Sequence, residues 1–335
     1  MKKRKDGFYQ ISKVINGKRK YFYGKKKEIA EKKRDAYIER SETHLFKDIA
    51  DDWWDQHEPT LAYNTTKGYK PALNRAKTEF GDMDVTEITP PMIAQYIRSF
   101  ASKSGTSDKV VRTQLMIINL IFKYAINYSG IDMNNPARDI SVPKNLKKTK
   151  ISSPDAKDIK KITENVGEPF GLFPFVAMYT GMRKGELLAL DWTDVDVKNR
   201  RITVSKSVYH ENNVPRIKKP KTDAGIRTVP ILDALLPYMT GSSGLVFPNE
   251  YGTLMTETQY QRQWELYVKA TGIRCTAHQL RHLYATILYE NNISPRDAMQ
   301  LLGHKNIQTT MDTYTDIRKQ RITKIEQKMY KIKIQ

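Results

Sequence analysis

The spacing of apolar positions changes character several times along the chain. Residues 7–15, GFYQISKVI, alternate as a strand does, and KRKYFYG at 18–24 reads as the return strand. Between them stands Asn16–Gly17, the strongest short hairpin signal, because both positions tolerate positive φ. The period then changes. KKKEIAEKKRDAYIER reads as a helix, with Ile29, Ala30, Tyr37 and Ile38 in a narrow apolar stripe and the stem of Lys33 between them. A small sheet-plus-helix module over 1–40 is predicted.

From 43 to 133 the pattern is helical. THLFKDIADDWWDQH puts Phe46, Ile49, Ala50, Trp53 and Trp54 at helical spacing behind Thr43, the expected N-cap. TPPMIAQYIRSF starts with Thr89 as cap and Pro90 at the first helical position, and the long helix of SDKVVRTQLMIINLIFKYAINYSG stops at Gly130. Lys67, Lys70, Arg75 and Lys77 line either a groove or a solvated face. The prolines and lysine run that follow mark an interdomain linker over 134–153. Ser153, followed by Pro154, is the expected cap of the next helix. Helices are expected over 155–166, 169–180, 256–271, 276–291, 295–302 and beyond 307, with strands in NRRITVSKSVY and GIRTVPI. The expected fold class is therefore multidomain: a small β-sheet-plus-helix N-terminal module, an all-α domain at 43–133, a basic linker and a mixed, mainly-α (α+β) domain at 154–335.

Charge narrows the partners. Lys and Arg number 57 against 37 acids, a net charge of +20. Residues 1–40 alone hold 15 Lys/Arg and five acids, half of that excess. A polyanion is the first candidate partner and a membrane surface the second. No run of 18 apolar residues occurs, so no membrane span is expected. The opening MKKRKDGFYQ has no apolar core behind its basic residues, so no signal peptide is expected. Cys275 is the only cysteine, which fits a reducing, cytoplasmic setting.

Four pieces of the last domain carry chemistry. In TGMRKGELLALDW, Gly181 breaks an apolar helix and Arg183 opens the next turn. In PKTDAGIRTVPI, Lys221 would project from a hairpin tip, with Lys218 and Lys219 close enough to exchange roles with it. In TAHQLRHLYATILY, a 100° step puts Leu280, Leu283 and Ile287 on one face and His278, Arg281, His282 and Ala285 on the opposite, polar one. In SPRDAMQLLGHKNIQTTMDTY, Ser294 and Asp297 cap a helix, Gly303 ends it, His304 follows at once and Tyr314 comes ten residues later. Two arginines, a lysine, two histidines and a tyrosine suit a phosphodiester. Guanidinium forks fit two non-bridging oxygens and keep their charge. They offset the charge of a pentacoordinate transition state. A tyrosine that loses its proton on attack forms a covalent intermediate, and a lysine protonates the leaving oxygen.

In these motifs, over roughly residues 150–320, the chain resembles the tyrosine recombinase (phage integrase) family. Arg183 in TGMRKGE looks like the family's first arginine, Lys221 in PKT its hairpin lysine, His278 and Arg281 in HQLR its His-x-x-Arg pair, His304 in LLGH its final histidine and Tyr314 its nucleophile. Glu186 matches an acidic position that is mainly structural in the family. The spacing is 23 residues from Arg281 to His304 and ten more to Tyr314. The resemblance implies a site-specific DNA recombinase that cleaves and rejoins strands through a 3′-phosphotyrosine and a Holliday junction, integrating or excising a phage or mobile element. It implies no cofactor or metal. The implied partners are double-stranded DNA at core and arm sites and a homotetramer on that DNA, together with a host DNA-bending protein and an excisionase; the implied compartment is the bacterial cytoplasm. Residues 43–130 look like the core-binding domain and residues 1–40 like the arm-binding module, with Tyr9, Gln10, Lys18 and Lys20 as candidate contacts.

Other readings compete. Alone, Tyr314 is a packing or surface residue, and Trp192, Trp264 and Tyr284 read as core. His278 and His282 at i, i+4 resemble a zinc-protease helix, but Gln279 stands where the glutamate base should be. A non-catalytic DNA-binding protein fits the charge and layout equally well. Ile322, Ile325, Met329 and Ile332 recur at helical spacing after Tyr314, for packing on a neighbouring protomer or in cis.

Overall fold

The computed structural model describes residues 2–3, 7–15, 18–103, 105–147, 153–219 and 226–329, with the side chains at 2–3, 15, 18, 36–42, 320 and 324–329 excepted. The chain divides into two compact units, Met1–Thr149 and Lys150–Gln335.

The first unit begins with a three-stranded antiparallel sheet, β1 (Lys2–Lys3), β2 (Tyr9–Ile15) and β3 (Lys18–Gly24), in that order. β2 and β3 pair without a slip from Tyr9↔Gly24 to Ile15↔Lys18. The expected Asn16–Gly17 turn lies outside the described residues. Helix α1 (Lys27–Glu42) packs on the sheet through Ala30, which is buried with Phe22. Ile29, expected in the apolar stripe, is instead exposed.

Helices α2 (Phe46–His57), α3 (Tyr63–Phe80), α4 (Pro90–Ser102) and α5 (Asp108–Asn127) follow. Phe46 is fully buried between Phe80 and Phe122, with ring centroids 5.7 and 5.6 Å away. Burying each such side chain contributes about 1.5–3 kcal/mol, so this cluster rather than helix propensity holds α2, α3 and α5 together. Thr43 does not cap α2. Leu45 occupies the cap position, and the neighbouring His44 N–H donates to Asp84 Oδ2 at 2.6 Å. Thr89 does stand at the start of α4, without a side-chain cap bond. Gly130, at φ 69°, follows the end of α5 as expected. In the proline-containing stretch after it, Ala137 is buried and Ile140, Val142 and Leu146 pack on the helical core.

The second unit opens with α6 (Ala156–Glu164), α7 (Leu172–Thr180) and the short α8 (Lys184–Leu188). Asp155, not Ser153, caps α6, accepting from Asp158 N at 2.7 Å. Strands β4 (Val195–Asp196) and β5 (Arg201–Val204) form a sheet with β8 (Arg227–Pro230), in the order β4–β5–β8. Between β5 and β8 lies a separate hairpin, β6 (Ser207–Glu211) and β7 (Val214–Lys218). Its turn, Asn212–Asn213, has φ of 48° and 69°, the left-handed pair a two-residue hairpin turn demands. Helices α9 (Glu257–Thr271), α10 (Ala277–Glu290), α11 (Pro295–Leu302) and α12 (Ile307–Met329) complete the unit.

Helix α10 is covered on both sides. Leu280 and Leu283 enter the main core with Phe173, Leu187 and Val229. Tyr284, Ala285 and Leu288 form a second, smaller core with Ala298, Leu302, Tyr314 and Ile317 from α11 and α12. The face expected to be polar is therefore partly interior, and Arg281 is buried on it. Among the described residues no helix is long and apolar enough to cross a membrane.

Candidate active site

The site is built where α7 stops. Gly181 takes φ 62°, and a Cβ there would lie 2.3 Å from Tyr284 Cδ1, so only glycine lets α10 approach so closely. The chain then turns into α8 with Arg183 at its N-cap and Glu186 three residues on. Glu186 accepts from the Arg183 backbone N–H at 2.8 Å and from Arg183 Nη1 at 2.8 Å. It also accepts a bidentate pair from Arg227 of β8, Nη1 to Oε1 at 3.0 Å and Nη2 to Oε2 at 2.7 Å. Burial pushes the Glu186 carboxyl up, but the Arg227 fork and the Arg183 backbone and charge outweigh it and hold it at about 2. Glu186 is an anion clamped between two cations.

The last turn of α11 is the second anchor. A helix C-terminus leaves carbonyls unpaired and carries partial negative charge. Here three consecutive carbonyls each take a guanidinium from a different element. Leu301 O accepts from Arg227 Nε at 2.9 Å, Leu302 O from Arg281 Nη2, and Gly303 O from Arg183 Nη2 at 2.8 Å. Arg281 Nη1 also donates to Gly181 O at 2.7 Å, so one side chain ties the end of α7 to the end of α11. Burial, then the charges of Arg183 and Arg227, draw Arg281 down to about 9, against the pull of Glu186; it stays cationic at neutral pH.

Of the histidines, His278 lies exposed in the first turn of α10, capped by Thr276. Burial, with Arg281 and Arg183, lowers its pKa. His304 directly follows Gly303, and its Nδ1 pairs with Thr310 Oγ1 at 2.9 Å. Burial, then Arg281, Arg183 and Arg227, push it down to about 4, so its ring is neutral at pH 7. His282 Nδ1 pairs with Ser153 Oγ at 3.0 Å, and Ser153 also bonds Thr286 Oγ1 at 2.8 Å. Ser153 thus serves His282 instead of capping α6. Among the described residues no three His, Cys, Asp or Glu side chains group as metal ligands do.

Two open clefts, about 270 and 260 Å³, share Arg183 and Ser207 as walls. The first adds Lys206, Lys218 and Lys219; the second adds His278 and Arg281. Lys221 lies outside the described residues. Lys184, beside Arg183, is committed to Glu257 at 2.7 and 2.8 Å, and His210 of β6 reaches the same carboxylate at 2.9 Å.

Tyr314 stands apart from these clefts. It is buried in the second core, its ring edge-on to Tyr289 at 5.1 Å, and its hydroxyl donates to Ile293 O at 3.3 Å. Burial, with Asp297 and Tyr284 adding to it, pushes its phenol up to about 12. The structure therefore brings Arg183, Arg281, His278 and His304 together and holds Tyr314 in a separate apolar pocket.

Residues 155–321 match the profile of the phage integrase family, and residues 46–141 that of the phage integrase central domain. The chain belongs to the phage integrase family. A tyrosine recombinase XerC-like protein of Caldanaerobacter subterraneus subsp. tengcongensis is 28% identical over 92% of each chain. The integrase of Staphylococcus phage L54a is 22% identical over 91% of this chain and 98% of its own. Among solved structures, the Tn1549 transposon integrase in complex with transposon right end DNA aligns with a TM-score of 0.68 at 19% identity, over 84% of this chain and 100% of that one. A lambda integrase tetramer bound to a Holliday junction aligns with a TM-score of 0.59 at 20% identity, over 90% and 94%. The protein is a tyrosine-type site-specific recombinase.

Sequence reasoning passed over three groups in this recombinase. Arg227 left one signal, a charged residue in phase with the buried Val229 and Ile231 on a strand that otherwise alternates. Thr310, fully buried beside His304, sits in a polar run with nothing to mark it. Ser153 carried a signal that pointed elsewhere, to a cap.

Proposed function

We propose that this recombinase cleaves DNA by attack of the Tyr314 hydroxyl oxygen on a backbone phosphorus. The P–O5′ bond breaks, a 3′-phosphotyrosine forms, and the departing 5′ oxygen takes a proton from Lys221. The 5′ hydroxyl of a second strand then attacks the phosphotyrosine and releases Tyr314. Two such exchanges through a Holliday junction recombine two duplexes held by four protomers. Because the ester bond is conserved, no nucleotide hydrolysis is needed.

One observation carries this reading: Arg183 and Arg281, 98 positions apart, line one cleft together with His278, and His304 directly follows Gly303, whose carbonyl accepts from Arg183. Arg183 donates to Glu186 and Gly303 while its side chain remains 45% exposed, which leaves N–H groups for phosphate oxygens. Neutral His304, its Nδ1 held by Thr310, offers Nε2–H as a donor without adding charge. His278 passes the Tyr314 proton. Arg183, Arg281 and His304 stabilise the added negative charge of the transition state.

Tyr314 on the Ile293 carbonyl is the resting position. Reaction requires the start of α12 to leave the second core, in its own subunit or by exchange with a neighbour, and the helix beyond Tyr314 then links cleavage to assembly. Ile322, exposed on that helix, supports the second course. The basic residues of 1–40 bind arm sites of a phage or mobile element, releasing counterions as they do.

The reading is tested with a nicked duplex spanning the junction of the protein's own element, on which covalent capture is irreversible. Wild type should trap DNA and Tyr314→Phe should bind it without trapping. Capture by the phenylalanine variant would refute the nucleophile.

A further inference from the structure

Arg227 is the member of the cluster that no motif marks, and like Arg281 it is buried. Its side chain is 7% exposed, against 45% for Arg183. All three of its guanidinium nitrogens are engaged within the protein, Nε on Leu301 O and the two Nη on Glu186. Gly303 packs directly on it: at φ 63°, a Cβ there would lie 2.7 Å from Arg227 Nη1. One side chain of β8 therefore joins α8 to the end of α11, from which His304 immediately follows.

We propose that Arg227 is a positioning residue for DNA cleavage: without touching the phosphate, it locks Glu186 to the last turn of α11 and so sets Arg183, Arg281 and His304 in register. The charge balance explains why a second arginine is needed. Glu186 facing Arg183 alone would cancel the cation that the phosphate requires. With Arg227 forked onto the carboxylate, Glu186 is neutralised from inside the protein and Arg183 keeps its outward charge. The fork itself matters. Its two parallel N–H bonds hold the carboxylate plane while Nε points at Leu301 O, and a lysine ammonium, with one nitrogen, cannot span those acceptors.

This inference rests on the proposed reading of the site. The test uses full-length protein and the same nicked junction duplex. Arg227→Lys keeps the charge and loses the fork; Arg227→Met loses both, and if the Met variant does not fold the Lys variant carries the test. The expected result for Arg227→Lys is single-turnover capture at saturating DNA slower by about tenfold or more, with affinity, read in the Tyr314→Phe background, changed by less than about twofold. The losses of Arg227→Lys and Glu186→Gln should not multiply in the double variant, because both break one contact. Capture at the wild-type rate, equal loss of rate and affinity, or multiplied losses would each overturn the proposal. Wild type that traps no DNA, or Tyr314→Phe that traps it, overturns the reading beneath, and the Arg227 inference falls with it.

Discussion

The Tyr314 hydroxyl donates to the carbonyl of Ile293, 21 residues earlier, on the short connection between α10 and α11. That bond and the apolar walls around the ring define a resting state for the proposed nucleophile. Burial also keeps the phenol protonated there, with its pKa at about 12. Ionisation has to follow release rather than cause it.

Loosening this pocket should speed cleavage. Tyr289 meets the Tyr314 ring edge-on at 5.1 Å. Such a pair contributes about 0.5–1.5 kcal/mol beyond its buried area. The contact belongs to the resting state, so Tyr289→Ala shifts the balance toward release and should raise single-turnover capture by about two- to tenfold. Fold stability should fall somewhat at the same time, read by thermal unfolding. Slower capture with an intact fold would contradict the resting-state account.

Acid should unfold the second unit through Glu186. Its carboxyl lies at about 2 in the fold against an ordinary 4.5. A depressed acid contributes stability that is present above 4.5 and is lost as pH falls from about 4.5 toward about 2. The loss is on the order of 3 kcal/mol across that window. Denaturant midpoints followed from pH 6 down to pH 2 should fall steeply in wild type and less steeply in Glu186→Gln. Equal slopes would show that the two arginines do not hold this carboxylate.

Ser153→Ala should act on helix α10. It removes the partner of His282 Nδ1 and leaves a half-buried ring nitrogen unpaired. An unmade bond of this kind costs about 1–3 kcal/mol. The melting temperature should drop, and capture should slow because α10 also carries His278 and Arg281. An unchanged melting temperature would mean that the Ser153 contact contributes nothing.

The helices and strands were legible in the sequence because each buries a periodic stripe, and the Gly181–Arg183 and Gly303–His304 turns because glycine marks where a helix must stop. What periodicity cannot report is whether a second face is covered. It assigned Arg281 to a polar face of α10, yet α11 and α12 pack on α10 there and the guanidinium is held between the ends of α7 and α11. Local cap preferences failed at Thr43 and Ser153 for a related reason: at Ser153 a distant histidine took the hydroxyl. Arg227 was hidden because its three acceptors lie 41 and 74 residues away on other elements. The resemblance supplied Tyr314, and only the structure shows it held away from the arginines.

The central claim is that Tyr314 is the atom source of the covalent link. The most direct measurement is the mass of the protein–DNA adduct. After capture on the nicked duplex and nuclease trimming, trypsin should release residues 306–318, which contain one tyrosine. The account predicts a nucleotide-linked peptide of that segment with the modification on Tyr314, absent from Tyr314→Phe. A nucleotide on any other residue, or an adduct that persists in Tyr314→Phe, would contradict it.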